Sequence, residues 1–553
     1  MTIGAVALLT MTLHAQSFET ASEAVRNMGV GWNLGNTLDA CSGSKQGLES
    51  ETYWGQPVTK PELMQMMKTA GFGAIRIPVT WYPHMDTNNK VDKSWMNRVH
   101  EVVDYVINQG LYCIVNVHHD TGDGNTQWLH ASTAIYEAQK QRFESLWRQI
   151  AEEFRDYDQH LLFESYNEML DKYNSWCFAT FNRPSGYNAA DAADAYAAIN
   201  NYAQSFVNTI RATGGNNAYR NLVVNTYGAC CGSGTWNAHL QDPLKEMKLP
   251  KDAVDGHLIF QVHCYPSVKN INNTKTEVND MFSLLKTHLA SKGAPVIIGE
   301  WGTANDGEDD YTVRRQNVLA YADYFVKKAK DYGSGTFWWM GISDGSARTL
   351  PAFSQPDLAA AILKAWYGSD YTPSLLTIDD YDIIYKVNYT GQWQELNICD
   401  HDISLSNYKA VRLELGEAPK DGSLSIKIYG ETDGKEQYVG IGQAQDITVN
   451  FDRNVLGTKS RRITLQYSMT TNYSIMVNSA FLIKTDGTED PMTLTPFWGC
   501  TAEAVATKKP SAVSTPVVTP QTDNVLYDLS GRRVTSSPRP GIYVRNNRVV
   551  VVK

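Results

Sequence analysis

LLFESYNEML, residues 161–170, begins as an apolar strand and ends on a carboxylate. Leu161, Leu162 and Phe163 read as buried β, and Asn167 and Glu168 follow where the strand gives way to a loop. PVIIGEWG, residues 295–302, repeats the pattern with Glu300. One glutamate after a strand is ordinary loop polarity, but two at equivalent strand ends pose a question of chemistry.

Outward from these stretches, short apolar strands alternate with amphipathic helices. GVGWNLG (29–35) leads to TKPELMQMMKTAG, where Thr59 and Glu62 have capping-box spacing. AIRIPVTW (74–81) precedes SWMNRVHEVVDYVINQG, and YCIVNVHH (112–119) precedes FESLWRQIAEEF. LLFESYNE is the fourth strand, NLVVNTYG (221–228) the fifth and HLIFQVHCYP (257–266) the sixth; PVIIGEWG is the seventh and TFWWMG the eighth. Eight β/α units with nearly continuous apolar strands predict an α/β fold, a (β/α)8 TIM barrel over residues 20–368. A doubly wound sheet is disfavoured, because no glycine-rich phosphate turn follows the first strand.

Barrels gather polar residues at the C-terminal ends of their strands over one pocket. Here those residues are Asn36, Arg76, His118, His119, Asn167, Glu168, His263, Tyr265, Glu300, Trp338 and Trp339. Trp338 and Trp339 are adjacent on a strand, so only one can face the pocket. Trp54, Trp128, Trp176 and Trp236 fall in loops expected on the same face, where they could stack on sugar rings.

Two carboxylates across a pocket can act as acid/base and nucleophile on a glycosidic bond. Arg76 and Tyr265 supply a positive charge and a hydroxyl donor that would hold one carboxylate ionised. The other must start protonated. Asn167 offers an amide to a sugar 2-hydroxyl. His118, His119 and Asp120 have the chemistry of metal ligands, but neighbours on a strand point to opposite faces, so no metal is expected. The sequence carries no cofactor motif, and hydrolysis by two carboxylates needs none.

Composition agrees with this class. The 553 residues are 42% hydrophobic and 20% charged, enough for two or three domains with ample core. A net charge of −10 argues against a nucleic-acid partner and suits a neutral substrate. The 14 Trp and 30 Tyr provide flat apolar faces of the kind sugar rings use.

GWNLGNT, the arginine of AIRIP, NVHHD, the NE after strand four, HCY, GEWG and FWW, in that order, resemble glycoside hydrolase family five, the (β/α)8 retaining cellulases. The likeness spans roughly residues 25–368. It implies Glu168 as acid/base and Glu300 as nucleophile. Arg76, His118, Asn167, His263, Tyr265 and Trp339 match the family's pattern around the scissile sugar. WNLGNTLDA and the WGQP loop look most like endoglucanases that also accept xyloglucan, lichenan or xylan. One departure is Met340, where such enzymes carry Asp after the two tryptophans. The resemblance implies a secreted endo-β-1,4-glucanase. The alternatives are a β-mannanase, a xyloglucan-specific endoglucanase or a catalytically silent polysaccharide-binding protein on the same fold.

The flanks read differently. Residues 1–16 end in an apolar run and small residues resembling a secretory signal, without the basic region that precedes one. No other run is long enough to span a membrane. Beyond 368 the helical period disappears, and residues 371–500 read as a β-sandwich resembling a carbohydrate-binding domain, with Trp393, Tyr408 and Trp498 as candidate platforms. Residues 501–522 read as a Pro/Ser/Thr-rich linker. Residues 523–553 resemble the C-terminal sorting tail of Bacteroidetes-type secretion, which makes the export machinery a partner and the location extracellular or cell-surface. Eight cysteines show no metal-finger spacing, and Cys399 and Cys500 could pair in an exported chain.

Overall fold

The computed structural model describes residues 18–42, 47–122, 127–176, 186–235, 237–304, 311–420 and 422–508, and the strands within 541–545 and 548–552. The expected signal segment, residues 1–16, lies outside the described residues, as does Trp236. Eight parallel strands close a barrel in chain order: β1 (Val30–Asn33), β2 (Ala74–Ile77), β3 (Tyr112–Asn116), β4 (Leu161–Glu164), β5 (Leu222–Cys230), β6 (Leu258–Cys264), β7 (Val296–Trp301) and β8 (Thr336–Trp338). This is the (β/α)8 fold expected from the alternating pattern. Long helices such as Lys93–Ile107, Thr133–Glu153 and Ile271–His288 lie between successive strands and bury their apolar faces in the core around the barrel.

The helix after β1 begins one residue later than a capping box at Thr59 would place it. Its N-cap is Lys60, with Pro61 in the first turn and no side-chain cap. Proline at the first helical position has no N–H to satisfy and a fixed φ, so it sets the start by itself. Thr59 is anchored elsewhere, its N–H donating to Glu51 Oε1 at 2.8 Å.

Inside the barrel two layers of opposite chemistry are stacked. The lower one is apolar: Ala74, Ile114, Leu162, Val223, Ile259, Ile297 and Phe337 pack with the helix Ala21–Met28. That helix opens on a capping box between Thr20 and Glu23 and covers this layer with Ala21, Ala24, Val25 and Met28. Gly31 makes room for Phe337, whose ring would lie 2.3 Å from any Cβ there. Two residues further along each strand, the same face carries Asn33, Arg76, Asn116, Glu164, Asn225 and Gln261, all buried.

After the helix Pro356–Tyr367 the chain stays on the barrel. Tyr371 donates its hydroxyl to Ala70 O at 2.9 Å, Phe353 N–H donates to Leu376 O at 2.7 Å, and Leu375 packs against the barrel core. From Tyr381 two antiparallel sheets share one apolar core. One contains, in spatial order, Glu436–Gly440, Leu424–Tyr429, Arg462–Tyr467, Gln394–Cys399 and Thr495–Trp498. The other runs Asp446–Asn450, Tyr408–Leu415, Tyr473–Lys484, Tyr381–Tyr389 and Thr501–Lys508. The last of these corrects the expected linker start, because residues 501–508 form a strand rather than a tether. TAEAVATK contains no proline, and its ladder ends just before Pro510. Gly541–Arg545 and Arg548–Val552 pair as an antiparallel hairpin.

Cys399 and Cys500 are both buried free thiols, against the expected bridge. Cys500 Sγ donates to Glu395 O at 3.1 Å, near the start of the strand that Cys399 ends. Four residues of strand span about 13 Å, beyond the roughly 7 Å limit between bridged Cα atoms. Among the described residues no helix is long and apolar enough to cross a membrane.

Two truncations check where the barrel's own chain ends. A chain ending at residue 378 keeps Tyr371, Leu375 and the Leu376 carbonyl, whereas one ending at 370 loses all three. The shorter form is expected to be less stable by about 2–3 kcal/mol, from one partly buried apolar side chain, part of a ring and two hydrogen bonds. Urea unfolding of the two chains measures the difference; equal midpoints would place the boundary at 370.

Candidate active site

Arg76 lies at the middle of the polar layer, and its side chain is fully buried. All five of its N–H groups are used. Nε and Nη2 donate to the two oxygens of Glu164 at 2.6 and 2.8 Å, and Nη2 also donates to Asn167 Oδ1 at 2.9 Å. Nη1 donates to Asn33 Oδ1 at 3.0 Å and to Glu300 Oε1 at 2.7 Å. Glu164 also accepts from the amides of Asn116 at 3.1 Å and Asn225 at 3.2 Å. Asn33 in turn donates to the carbonyls of Gly299 and Phe337, at 2.9 and 3.1 Å. β1, β2, β3, β4, β5 and β7 are thus tied together around one cation.

Burial works against the charge of Arg76, but Glu164 and Glu300 more than compensate and keep it protonated. Burial also raises Glu164, yet Arg76 prevails and holds it below the usual glutamate range. Glu300 goes the other way. Burial pushes its carboxyl above the ordinary value and Glu168 adds to the rise; His263, Arg76 and the Tyr265 hydroxyl oppose it without cancelling it. The partners expected to hold Glu300 ionised are in contact with it, but desolvation is the larger effect.

The two glutamates at the strand ends converge. Tyr265 donates to Glu300 Oε2 at 2.8 Å. His263 Nδ1 lies 2.7 Å from Glu168 Oε1 and 3.6 Å from Glu300 Oε2. Glu168, His263 and Glu300 each contribute one donor atom within 4.8 Å of the others. Burial pushes His263 down to about 4, so the ring is neutral near pH 7. Gln261 Nε2 sits 3.4 Å from His263 Nε2, consistent with Nε2 accepting there and Nδ1–H donating to Glu168. The environments of the two glutamates differ. The Glu168 side chain is 20% exposed and that of Glu300 is 6% exposed.

Glu168 sits four residues past the end of β4, on a loop whose path is fixed. Asn167 N–H donates to Val117 O at 2.9 Å, and the Asn225 amide donates to Tyr166 O at 2.6 Å. Asn167 accepts from Arg76 with Oδ1, so its Nδ2 is the donor left over. On the β7 side the register shifts between Val262 and His263, which sets His263 directly opposite Glu300.

The remaining predicted residues divide. Trp339 reaches the pocket side: its ring stacks on His118, 5.8 Å between centroids and 5° between planes. Gly35 permits this, since a Cβ there would meet that indole at 2.9 Å. Trp338 instead enters the core, perpendicular to Trp301. Met340, at the position of the departure, has φ 30° and its carbonyl accepts from Trp32 Nε1 at 2.9 Å. Trp54 is exposed, edge-on to His119 at 5.1 Å. Trp176 lies half-buried against the core. Trp128 is buried, its indole N–H donating to Asp120 at 2.5 Å and one face covered by Arg142. That leaves no free ring face for a sugar. Asn36 takes a left-handed turn conformation, φ 59°, with its N–H donating to Asp39 at 3.1 Å.

His118 and His119 do not point to opposite faces. β3 ends at Asn116, and beyond it strand alternation no longer applies, so both rings come together at 4.5 Å beside Asp39. Asp39, His118 and His119 could offer a cation three atoms within 4.8 Å. Their atoms have other duties, however: Asn116 Nδ2 lies 3.0 Å from His118 Nδ1, and Asp39 accepts from the N–H groups of Asn36 and Thr37.

Sequence reading passed over Asn33, Asn116, Glu164, Asn225 and Gln261. Each is the polar residue closing an apolar triplet, as in LFE, VVN and IFQ, and the recurrence in successive strands was the available signal.

Residues 38–345 match the family model "Cellulase (glycosyl hydrolase family 5)". The chain is 34% identical over 363 residues to "Endoglucanase B" of Neocallimastix patriciarum, covering 62% of this chain and 70% of that one. It is 36% identical over 385 residues to "Endoglucanase A" of Clostridium longisporum, covering 66% and 67%. Among solved structures, a broad specificity endoglucanase from an uncultured bacterium is 56% identical with TM-score 0.62, covering 64% of this chain and 98% of that one. A family 5 enzyme from Prevotella bryantii, in complex with a xyloglucan tetradecasaccharide, is 44% identical with TM-score 0.57, covering 63% and 99%.

Glu164→Gln tests the buried cluster by stability. Removing one partner of a buried ion pair costs roughly 3–5 kcal/mol. Because Glu164 titrates below its unfolded value, its contribution is present above the unfolded pKa of about 4.3 and is lost as pH falls through the folded value. The gap in unfolding free energy between parent and variant should therefore be widest near pH 7 and narrow below about pH 4. A gap that does not change with pH would mean that Glu164 is not held as a carboxylate.

Proposed function

Because the chain belongs to glycosyl hydrolase family 5, the cellulase family, we propose that it cuts internal β-1,4-glucosidic bonds of cellulose and related β-glucans with retention of anomeric configuration. The observation that carries this is the approach of Glu168 and Glu300 oxygens to within 4.8 Å. Retaining enzymes hold their carboxyl groups about 5–5.5 Å apart, and inverting ones leave about 6.5–9.5 Å for a water. Two of the similar solved structures support the substrate class: one is named a broad specificity endoglucanase and another holds a xyloglucan oligosaccharide.

In this reading Glu300 attacks the anomeric carbon while Glu168 protonates the leaving oxygen. Water then enters, Glu168 takes its proton, and the glycosyl–Glu300 bond breaks. Arg76 and Tyr265 orient Glu300 and stabilise the carboxylate when it is released. Neutral His263 donates to Glu168 and so fixes its position. Asn167 Nδ2 is the donor to the sugar 2-hydroxyl, and Trp339 is the floor on which a glucosyl ring lies. The signal-like N-terminal run and the sorting-like C-terminal segment fit an exported protein, and the β-sandwich fits a module that holds the barrel to its polymer, raising the local substrate concentration.

The wild-type enzyme is expected to release reducing ends from carboxymethylcellulose, lichenan and xyloglucan faster than from mannan, in side-by-side assays. Azide separates the two glutamates. With Glu168→Ala and an activated aryl glycoside, the first step survives and azide replaces the missing base, giving a β-glycosyl azide. With Glu300→Ala, azide attacks directly and gives the α-product. Proton NMR of the azides decides the assignment; an α-azide from Glu168→Ala would reverse it, and an inverted product from the wild type would exclude the mechanism.

The same geometry fixes a pH limb. Glu300 has to be ionised to attack, and burial raises it, so the acid limb of kcat/KM should lie above the usual glutamate value of about 4.3. A limb at or below that value would mean that Glu300 is not the group being titrated.

A further inference from the structure

We propose that the outer face of the five-stranded sheet of the β-sandwich, between Tyr438 and Trp498, binds a neutral β-linked glucan chain laid across the strands. This rests on the reading of the sandwich as a module that holds the barrel to polymer, and it locates the surface.

The register defines the face. Tyr438 pairs with Lys427, Lys427 with Thr464, Thr464 with Asn397, and Asn397 with Thr495. The next row on the same side runs Ser425, Gln466, Glu395, Trp498. Residues of alternate parity, including Leu396, Ile426 and Leu465, fill the core. Two parallel rows of polar side chains therefore cross the sheet with an aromatic ring near each end. Five strands set those rings about 19 Å apart, room for several sugar units.

The floor between the rings is ordered. Glu395 is 6% exposed although it points away from the core. It accepts from the Tyr429 hydroxyl at 2.7 Å, Thr464 Oγ1 at 2.8 Å and Gln466 Nε2 at 2.8 Å. An ordinary solvated sheet face does not desolvate a carboxylate, and here three hydrogen bonds compensate for that burial. They also fix Gln466 with its amide nitrogen committed, which leaves its carbonyl oxygen as an acceptor. The rings are presented to solvent: Tyr438 is 52% exposed and Trp498 65% exposed.

Charge selects the ligand. Lys427 Nζ lies 3.6 Å from both Glu395 and Glu436, and Arg462 lies over the Phe497 ring at 3.7 Å. Two cations and two carboxylates balance across the face, so it has no net attraction for a polyanion or polycation. Exposed aromatic planes over fixed donors and acceptors suit a polyhydroxylated apolar-faced chain. Of the platforms suggested by sequence, Trp498 belongs to this face. Tyr408 is on the other sheet, where its hydroxyl donates to Asp490 at 2.7 Å.

The test uses full-length chains carrying Glu300→Gln, so that polymer is bound without being cut, and measures depletion onto amorphous cellulose. Trp498→Ala with Tyr438→Ala is expected to weaken binding about tenfold, the scale of two lost ring contacts. Glu395→Gln should weaken it in the same direction, by disordering the floor. Tyr219→Ala removes an exposed ring from the barrel and should leave binding at the parent value. Thermal melts confirm that each chain is folded. Parent-level binding by the double variant would overturn the proposal, as would equal loss in Tyr219→Ala; loss seen on mannan but not on cellulose would overturn the ligand class. Wild-type hydrolysis of cellotetraose reports on the barrel alone, so failure there is distinct from failure of this face.

Discussion

A guanidinium with no access to water organises the catalytic half of this protein. Arg76 can be buried only because each of its five N–H groups meets an oxygen, and those oxygens come from four residues on three separate stretches of chain. A buried charge without such partners costs far more than a domain's net stability. Asn33, Glu164, Asn167 and Glu300 together compensate for closing the barrel around Arg76. Position is the consequence for chemistry. Glu300 is held by the same cation that the fold requires, so its location is set with the precision of the core.

The apolar layer beneath supplies the rigidity. Ile114, Leu162, Val223, Ile259 and Ile297 sit one strand repeat below the polar residues and are packed by the helix Ala21–Met28. A barrel interior filled in this way is a close-packed solid. The amides of Asn33, Asn116 and Asn225 then have little freedom, and each serves as a strut between strands.

The fold was legible in the sequence because apolar strands alternating with helices have few other solutions, and the two glutamates were legible because they break the strand pattern at its end. Glu164 was hidden inside LLFE for the same reason that it works: within a strand, an inward polar residue looks like one outward alternation. Trp338 and Trp339 show where local logic holds, as one faces core and the other pocket. His118 and His119 show where it fails, since the strand ends at Asn116 before alternation could separate them. Trp128 was misleading because a loop tryptophan reads as exposed, whereas Asp120 and Arg142 enclose this one. Residues 501–508 read as linker in sequence because Ala and Thr are common to tethers and edge strands, and only pairing distinguishes them.

The proposed mechanism gives two chemically identical side chains opposite roles, and their surroundings differ. Glu168 accepts from the neutral ring of His263 on Oε1, and its side chain is 20% exposed. Glu300 receives Arg76 on one oxygen and Tyr265 on the other, so a proton on either would displace a donor. The asymmetry lies in burial and in the chemistry of the donors, a cation and a phenol at Glu300 against a neutral imidazole at Glu168. Burial raises Glu300 and makes its carboxylate more reactive once ionised, while Arg76 and Tyr265 oppose that rise without cancelling it and hold the group in position. In the proposed mechanism, when the glycosyl bond forms, charge on Glu300 disappears beside Arg76 and Glu168 loses its proton a few ångströms away. The negative charge has moved from one carboxylate to its neighbour, and the net charge of the buried cluster is unchanged through the step.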